Sequence, residues 1–475
     1  MSKIVFINPP LFLEERYGEL AQAGSMTPPL GLCGLAAVTR EEGFETKIID
    51  AAAQSLSHRD TVQRIVKTGF PYVGITATTL SIYSAGKLAG LIKKISPETI
   101  IIIGGCHVTA LPEDTMKKFP SFDIGVLGEG EITIVNVLKA LEQKKNLRKV
   151  KGIIFRKNKK LVKTMPQEIL RDLDKLPLPA WDLLPNLIST YRPAAFNCQK
   201  LPSVSLITSR GCTGKCVFCS RAVAGIFWRG YSAKYIILMI KKLIRDYGIR
   251  EVKIFDDNFV VSKERVREFC RLIKKERLNL SWSCSARIDL VNFEILKTMK
   301  DAGCWQIFYG IESGSQKVLD VLGKGIKLKE IERTVNFTNK AGIKVVGSFM
   351  VGNPCESLST IRKTIDFAKR LPLNDFQMSI FTPLPGSEIY DTAGKYGVFD
   401  KDWRKMNLWY PVFIPYGLKK EDLWEYQKVA FREFYFRPRL MLSYFARIKS
   451  KEHLLALWGG LGALVKMQLK QNKSR

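Results

Sequence analysis

The stretch Ser209-Arg-Gly-Cys-Thr-Gly-Lys-Cys-Val-Phe-Cys-Ser220 carries three cysteines, Cys212, Cys216 and Cys219, in a C-x3-C-x2-C pattern. Three thiolates so close on one loop can cover one face of a small metal cluster. A 4Fe-4S cube takes one ligand per iron, so a cysteine trio leaves one iron open to a further ligand. A zinc site usually has four closed ligands, and no fourth Cys or His lies near the trio. Disulfides belong to oxidising compartments. The opening Met1-Ser-Lys-Ile-Val-Phe-Ile-Asn-Pro-Pro10 reads instead as a short strand ended by prolines, with no apolar core or cleavage site of a signal peptide. Cys33, Cys106, Cys198, Cys270, Cys284, Cys304 and Cys355 form no second ligand set. They read as small hydrophobes, with Cys284 and Cys355 at strand ends where a site could use them.

Outward from this loop, the surrounding segment repeats strand and helix. Val204–Thr208 runs into the cysteines. Strands follow at Glu251–Phe255, Leu280–Ala286, Trp305–Tyr309, Ile343–Met350 and Asp375–Ile380. Helical patterns separate them at 262–277, 291–302, 328–341 and 358–370. Six βα units predict a partial (βα)6 barrel of the TIM type over 201–395. Function in such barrels collects at the carboxyl ends of the strands. Those ends carry Asp256-Asp257-Asn258, Arg287, Gly310-Ile-Glu312-Ser313 and Gly352-Asn-Pro354-Cys-Glu356.

Residues 1–140 alternate in the same way, with strands at Ile4–Ile7, Thr46–Asp50, Tyr72–Thr76, Thr99–Ile103 and Asp123–Leu127 and a helix over Leu32–Glu42. The pattern predicts an α/β domain with a Rossmann-like, doubly wound parallel sheet, whose ligand would sit outside the carboxyl ends of the strands. Those ends hold Pro9-Pro10, Thr76-Ala-Thr78, Gly104-Gly105-Cys-His107-Val-Thr109 and Gly128-Glu129-Gly130. A flavodoxin-like domain whose glycines only make turns is the alternative. Residues 141–200 read as a connector, lysine-rich and then proline-rich at Leu176–Pro185.

Residues 396–475 are mostly helical in pattern, basic and rich in aromatics, with helical spacing over Glu421–Phe436. The apolar runs Arg437–Phe445 and Leu454–Val465 are too short to span a bilayer. A helix of that kind lies at a membrane interface or packs on the barrel, and both readings stand. No run of 18 apolar residues occurs. The net charge of +30 favours anionic partners: nucleic acid, phosphorylated ligands or an anionic membrane face. Three histidines, His58, His107 and His453, leave little material for paired-histidine catalysis.

With Phe218 before its last cysteine, the trio resembles the signature of the radical S-adenosylmethionine (SAM) enzymes. The strand-end motifs of 1–140 resemble the cobalamin-binding domain that precedes many of those barrels. Together the chain resembles the cobalamin-binding radical SAM enzymes, a group that includes magnesium-protoporphyrin IX monomethyl ester cyclase and hopanoid methylases. The resemblance implies three cofactors: a 4Fe-4S cluster on Cys212, Cys216 and Cys219, SAM on the open iron, and cobalamin. It places Phe218, Asp256, Arg287, Gly310, Glu312, Ser313 and Pro354 around SAM. It places Pro9, Pro10, Thr76, Thr78, Gly104, Gly105, His107, Thr109, Gly128, Glu129 and Gly130 around cobalamin. Two departures stand out. The family's turn has glycine where Cys355 stands. The Asp-x-His-x-x-Gly motif that supplies a histidine to cobalt is absent, so the resemblance puts His107 against the corrin or its side arms, a satisfied loop histidine being the alternative.

The implied activity is reductive cleavage of SAM to a 5'-deoxyadenosyl radical, hydrogen abstraction from an unactivated carbon, and methyl transfer through methylcobalamin to a small, hydrophobic or lipid-like substrate. Oxidative cyclisation or rearrangement without methyl transfer is the second reading. The expected partner is a low-potential electron donor such as flavodoxin or ferredoxin, in the cytoplasm, with peripheral contact at the inner membrane face through the C-terminal segment. A nucleic acid partner is not expected: tRNA methylthiotransferases carry a second cysteine trio, and only Cys33 and Cys106 lie within 1–140. A non-catalytic cobalamin or metal sensor would not need the SAM-site motifs.

Overall fold

A computed structural model describes residues 3–18, 21, 24–191, 193, 198–438, 440 and 462. The runs of isoleucine and valine near the N-terminus become strands buried on both faces, β1 Lys3–Asn8, β2 Glu45–Asp50, β3 Tyr72–Thr76, β4 Ile100–Gly104 and β5 Ile124–Val126. They pair in parallel in the order β2-β1-β3-β4-β5, which reverses between β1 and β3. A ligand crevice in a doubly wound sheet opens at such a switch point. The helix Leu30–Glu41 and the helix Gly130–Glu142 pack together on one face, and His58–Thr68 with Ile82–Ile95 on the other.

Part of the expected connector is built into this sheet. Residues Ile153–Lys157 (β6) and Lys160–Lys163 (β7) form a hairpin, and β6 pairs antiparallel with β5. The reading of 141–200 as a connector misses this hairpin, because its second strand β7 is half-polar and carries no alternating apolar signal. The proline-rich strap does lack long regular elements, and it links the domains through Ala180 N–H donating to the Cys33 carbonyl at 3.0 Å.

After the short strand β8 Ser203–Leu206 come β9 Ser209–Arg210 and β10 Arg229–Gly230, a two-stranded clip that brackets the cysteine loop. The remaining strands are β11 Glu251–Ile254, β12 Ser281–Ala286, β13 Cys304–Glu312, β14 Lys344–Val351 and β15 Asp375–Ile380. With β8 they make one parallel sheet in the order β15-β14-β13-β12-β11-β8, an open partial barrel. Trp282 and Cys284 of β12 are buried toward the helices, Trp282 against Phe259 and Phe269. Side chains alternate along a strand, so Ser281, Ser283 and Ser285 lie on the inner face.

The helix Lys420–Tyr435 covers the β15 edge. Phe434 stacks on Phe376 at 4.7 Å between ring centroids, Gln427 donates to the Met378 carbonyl, and Arg362 pairs with Glu433 at 2.6 Å. This settles the place of the helix expected over Glu421–Phe436. The runs Arg437–Phe445 and Leu454–Val465 lie, but for a few positions, outside the described residues. No helix among the described residues is long and apolar enough to cross a membrane. Upstream, β16 Gly397–Phe399 pairs with β17 Phe413–Pro415, and Trp403 between them reaches back to the first domain.

The two sheets meet through charge. Glu129, just beyond β5, receives both terminal nitrogens of Arg229 at 2.9 and 2.8 Å. Arg210 lies 3.3 Å from Glu129 and 2.6 Å from Glu131. None of these four side chains is more than 19% exposed. Burial alone would raise the Glu129 carboxyl, but the two arginines outweigh it and hold it below the usual carboxylate range. A depressed carboxyl contributes stability that is present above its unfolded value, near pH 4.3, and is lost as pH falls through the folded one. Arg229→Leu is expected to destabilise the protein by about 3 kcal/mol, since it leaves a buried carboxylate short of a partner. The same variant should begin its acid unfolding at higher pH than wild type. Thermal melts between pH 3.5 and 7 check both.

Candidate active site

The cysteine loop is braced from below by Asp256, which follows β11. One carboxylate oxygen accepts from Thr208 N–H at 2.5 Å, and the other from the Thr208 and Ser209 hydroxyls, each at 2.6 Å. Arg265 stands 3.6 Å away and donates to the Thr208 and Phe259 carbonyls. Burial pushes the Asp256 carboxyl up, and Arg265 with the hydroxyls opposes that. Asp256, expected beside the methionine amine, thus has its side chain spent on the loop. The neighbouring Asp257 accepts from Gly211 N–H at 3.1 Å. Gly211 has φ +81°, and a Cβ there would stand 2.4 Å from the Phe227 carbonyl oxygen, so the loop entry admits only glycine.

Cys216 is buried, while Cys219 is exposed. The Cys219 thiol hydrogen-bonds the Cys216 sulfur, and Lys324 and Arg287 add positive charge. Against burial, these bring the Cys216 thiol below its usual range. Arg287 Nη1 lies 3.6 Å from Cys216 Sγ, and the same guanidinium holds Asp289 and the Lys324 carbonyl. Lys324, buried, pairs with Glu312 at 2.8 Å and lies 5.8 Å over the Phe218 ring. Burial would lower its ammonium, but Glu312 and the Cys216 sulfur outweigh that and keep it charged. Lys324 carries no sequence signal beyond its flanking glycines, Gly323 and Gly325. Gly323 is needed because a Cβ would meet the Lys215 carbonyl at 2.9 Å.

Of the barrel's strand-end groups, Asp256 and Asp257 bond the loop, Arg287 reaches Cys216 and Glu312 holds the Lys324 that lies over Phe218, while others are committed to protein partners elsewhere. Glu312, at φ +70° in an irregular turn of β13, is held by Lys324. Gly310 is glycine because a Cβ would stand 2.4 Å from a Glu312 oxygen. Ser313 bonds Thr364 and Ser315. Beyond β14, Gly352 and Asn353 donate their backbone N–H groups to Glu356 at 2.6 and 2.8 Å, closing the turn that carries Pro354. Burial raises the Glu356 carboxyl to about 7 against these bonds. Cys355, the departure from glycine, sits at φ +61°, so the turn keeps its left-handed geometry with a cysteine in it.

Between the carboxyl ends of the two sheets lies a cavity of about 370 Å³. Thr76, Gly104, Gly105, Gly128, Glu129 and Gly130 line it from the first domain, and Ile207, Ser209, Arg210, Phe255 and Asp257 from the barrel. A Cβ on Gly104 or Gly128 would meet nothing within 4 Å, so both open onto free space. At Gly105, φ +106°, a Cβ would instead stand 2.5 Å from the Ala77 carbonyl oxygen, so only glycine fits there. Trp181, from the strap, also lines the cavity, and its buried indole N–H has no partner among the described residues. Sequence reasoning missed Trp181 because a lone tryptophan between prolines reads as packing.

Other residues expected at a cobalamin are used within the first domain. Thr109 Oγ1 bonds the Gly105 carbonyl and accepts from Gly128 N–H. Thr78 closes a turn with Ser81. Pro9 and Pro10 are buried, and Pro10 offers its carbonyl to Ser84. His107 is fully buried, bonded to Thr79 at 3.1 Å and packed edge-on against Trp403 at 4.4 Å. Its burial lowers the imidazole to about 4. Thr79 thus satisfies one ring nitrogen, while Nε2 has no hydrogen-bond partner among the described residues.

These features fit the cofactors that the resemblance implies. A cavity floored by open glycines, with an unpartnered donor in its wall, can accept a large flat ligand. No three His, Cys, Asp or Glu side chains among the described residues converge closely enough to share one ion. A cube takes one thiolate per iron and does not need such convergence.

Comparison with known proteins gives the same two parts. The family model for a B12 binding domain matches residues 19–138, and that of the radical SAM superfamily matches residues 206–368. An uncharacterized methyltransferase of Pyrococcus horikoshii is 35% identical over 421 residues, covering 88% of this chain and 90% of that one. The anaerobic magnesium-protoporphyrin IX monomethyl ester cyclase of Cereibacter sphaeroides is 27% identical over 450 residues, 92% of this chain and 71% of that one. Among solved structures, the cobalamin-dependent S-adenosylmethionine radical enzyme OxsB, with aqua-cobalamin and S-adenosylmethionine bound, superposes with a TM-score of 0.75. It covers all of this chain and 79% of its own at 16% identity, a likeness of fold.

The cysteine at φ +61° yields a test of the turn. A non-glycine residue in the left-handed region costs about 1–2 kcal/mol, and glycine loses about 0.5–1 kcal/mol of that gain to chain entropy. Cys355→Gly is therefore expected to stabilise the protein by about 0.5–1 kcal/mol, read as a higher melting temperature.

Proposed function

The chain belongs to the cobalamin-binding radical SAM enzymes, and on that premise we propose that it is a C-methyltransferase acting on an unactivated carbon. When bound, the cofactors supply reductive cleavage of SAM to a 5'-deoxyadenosyl radical and a transferable methyl group, the hard chemistry that the protein itself lacks. In this reading residues 201–395 hold the cluster and SAM, residues 1–140 hold cobalamin, 141–200 connect them, and the helix Lys420–Tyr435 covers the barrel's β15 edge. Cys212, Cys216 and Cys219 ligate the cluster. Low thiol proton affinity at Cys216 favours the thiolate that a metal needs. Phe218, Arg287, Gly310 and Pro354 border SAM, while Asp256, Glu312 and Ser313 position the loops around it.

Gly104, Gly105, Gly128 and Gly130 give cobalamin its close approach, Thr76 lines its site, and Trp181 offers it a hydrogen bond. An electron enters from a low-potential donor such as a flavodoxin or ferredoxin, on the side where Cys219 is exposed. The substrate's reacting carbon stands at the barrel mouth between Ile207 and Phe255, which are 39% and 41% exposed there. Those apolar neighbours favour a substrate with a hydrophobic part at the reacting end. The observation that carries the reading is the single cavity shared by Gly104 and Gly128 on one side and Ser209 and Asp257 on the other, which lets both cofactors face one substrate.

The 27% likeness to a ring-forming cyclase supports a second reading, oxidative cyclisation or rearrangement with the same cofactors. Protein purified without oxygen, reconstituted with iron, sulfide and cobalamin, and given SAM, dithionite and cell extract separates the two. Methyl transfer predicts 5'-deoxyadenosine together with S-adenosylhomocysteine by mass spectrometry. The cyclase reading predicts the first product alone. In Cys216→Ala 5'-deoxyadenosine should vanish. Neither product from wild type carrying both cofactors would overturn both readings.

Gly104 does not have a positive φ, so a side chain can stand there without backbone strain. Gly104→Val should fold normally but lose affinity for cobalamin roughly tenfold, in line with the cost of overfilling a site. Absorbance of the bound corrin after gel filtration reads it.

A further inference from the structure

Donors and cations are aimed at the sulfurs of the cysteine loop. Gly214 N–H donates to Cys212 Sγ at 3.4 Å, and Arg287 Nη1 donates to Cys216 Sγ at 3.6 Å. Gly214 makes room for that guanidinium: a Cβ there would stand 2.8 Å from Arg287 Nη1 and 3.4 Å from Cys212 Sγ. Arg287 therefore lies against two of the three cysteines. Lys324 is the second cation, and both neighbours of Cys216 touch its segment. Val217 N–H donates to the Leu322 carbonyl at 3.1 Å, and the Lys215 carbonyl lies against Gly323. Arg287 Nη2 in turn donates to the Lys324 carbonyl at 2.8 Å, so the two cations are held together.

Each cation carries a carboxylate, Asp289 on Arg287 at 3.0 Å and Glu312 on Lys324 at 2.8 Å. A buried pair can be an ion pair and nothing more. The placement here is lopsided. Asp289 lies toward solvent, 29% exposed against 13% for Arg287. Lys324 and Arg287 each act on the Cys216 sulfur more strongly than Glu312 does. The positive ends of both pairs thus face the thiolates. Net charge and hydrogen bonds at the sulfurs are what set the potential of an iron–sulfur cluster, because a fixed cation offsets the negative charge that an added electron brings.

We infer that Lys324, together with Arg287, raises the reduction potential of the cluster held by Cys212, Cys216 and Cys219 and so eases the entry of one electron. The inference rests on the functional reading above and deepens it, since it names what makes the cluster reducible by a biological donor. The flavodoxin or ferredoxin loses one electron and the cluster gains it. No covalent bond changes, and no proton moves, because both side chains are already cationic. Lys324 acts through the cysteine sulfur and is a positioning residue: it fixes a charge where the electron arrives.

The test is a redox titration of the oxygen-free protein loaded with cluster and cobalamin, without SAM, followed by electron paramagnetic resonance of the reduced cluster. Lys324→Met, similar in length but uncharged, should be about tenfold harder to reduce, a potential lower by about 59 mV for one electron. Glu312→Gln, which removes the opposing charge, should shift the potential the other way, and Lys324→Arg should stay near wild type. A purely structural ion pair would lower the stability of Lys324→Met and Glu312→Gln alike and leave both potentials in place. Iron content and corrin absorbance show that each variant is loaded and folded. Lys324→Met at the wild-type potential overturns the inference. Where that variant does not hold the cluster, Glu312→Gln decides, and a wild-type or lower potential there overturns it. SAM cleavage by wild type in the same preparation reports on the functional reading separately. Shifted potentials without cleavage would sink that reading and leave the role of Lys324 standing, whereas a wild type that assembles no cluster overturns both.

Discussion

The buried contact of Arg210 and Arg229 with Glu129 and Glu131 is the constraint on which the site depends. Arg229 and Arg210 belong to the clip that brackets the cysteine loop, and the two glutamates stand at the carboxyl end of the first sheet. One charge cluster therefore fixes the cysteine loop against the other domain's ligand crevice. Taking four charges out of water is unfavourable unless each is paired. The pairing is satisfied only when the two sheets present their carboxyl ends to each other, so docking is specific as well as stable.

Beneath that contact, the polar groups of the barrel's strand ends divide their work. Asp256 spends both oxygens on Thr208 and Ser209, and Glu312 spends its charge on Lys324. Arg287 reaches the sulfur of Cys216 while tied to Asp289 and the Lys324 carbonyl. These residues position the loop and its charge. Contact with a ligand is left to backbone exposed at glycines and to groups without partners, such as the Trp181 indole. Such a division suits a site whose reactivity resides in cofactors: the protein supplies fixed positions and a cavity to hold them.

The C-terminal helix adds a third element. An open parallel sheet leaves an edge that must be covered, and Phe431 and Phe434 pack over Phe376 at the β15 edge. The aromatic residues of Lys420–Tyr435 pack on the barrel, while the runs Arg437–Phe445 and Leu454–Val465, for which the membrane-or-barrel alternative was read, lie largely outside the described residues.

Much of the fold was legible along the chain because it depends on local patterns. Apolar runs such as Ile100–Ile103 are long enough to be buried strands, strand and helix alternate, and the cysteine trio has a spacing that few chemistries use. Those signals determined two parallel sheets, their order in the chain and the place of the cysteine trio. The hairpin β6–β7 escaped because its second strand is exposed and half-polar. The partners of Glu129, Asp256 and Glu312 were decided only in three dimensions, since residues that donate hydrogen bonds to them lie 100, 48 and 12 positions away. His107, read in its glycine-rich motif as a corrin contact or a satisfied loop histidine, is packed against Trp403 from the distant C-terminal segment. Sequence spacing reports which groups share an element. Which of them remain free to bind something else depends on what every other element has already taken, and only the packed structure decides that.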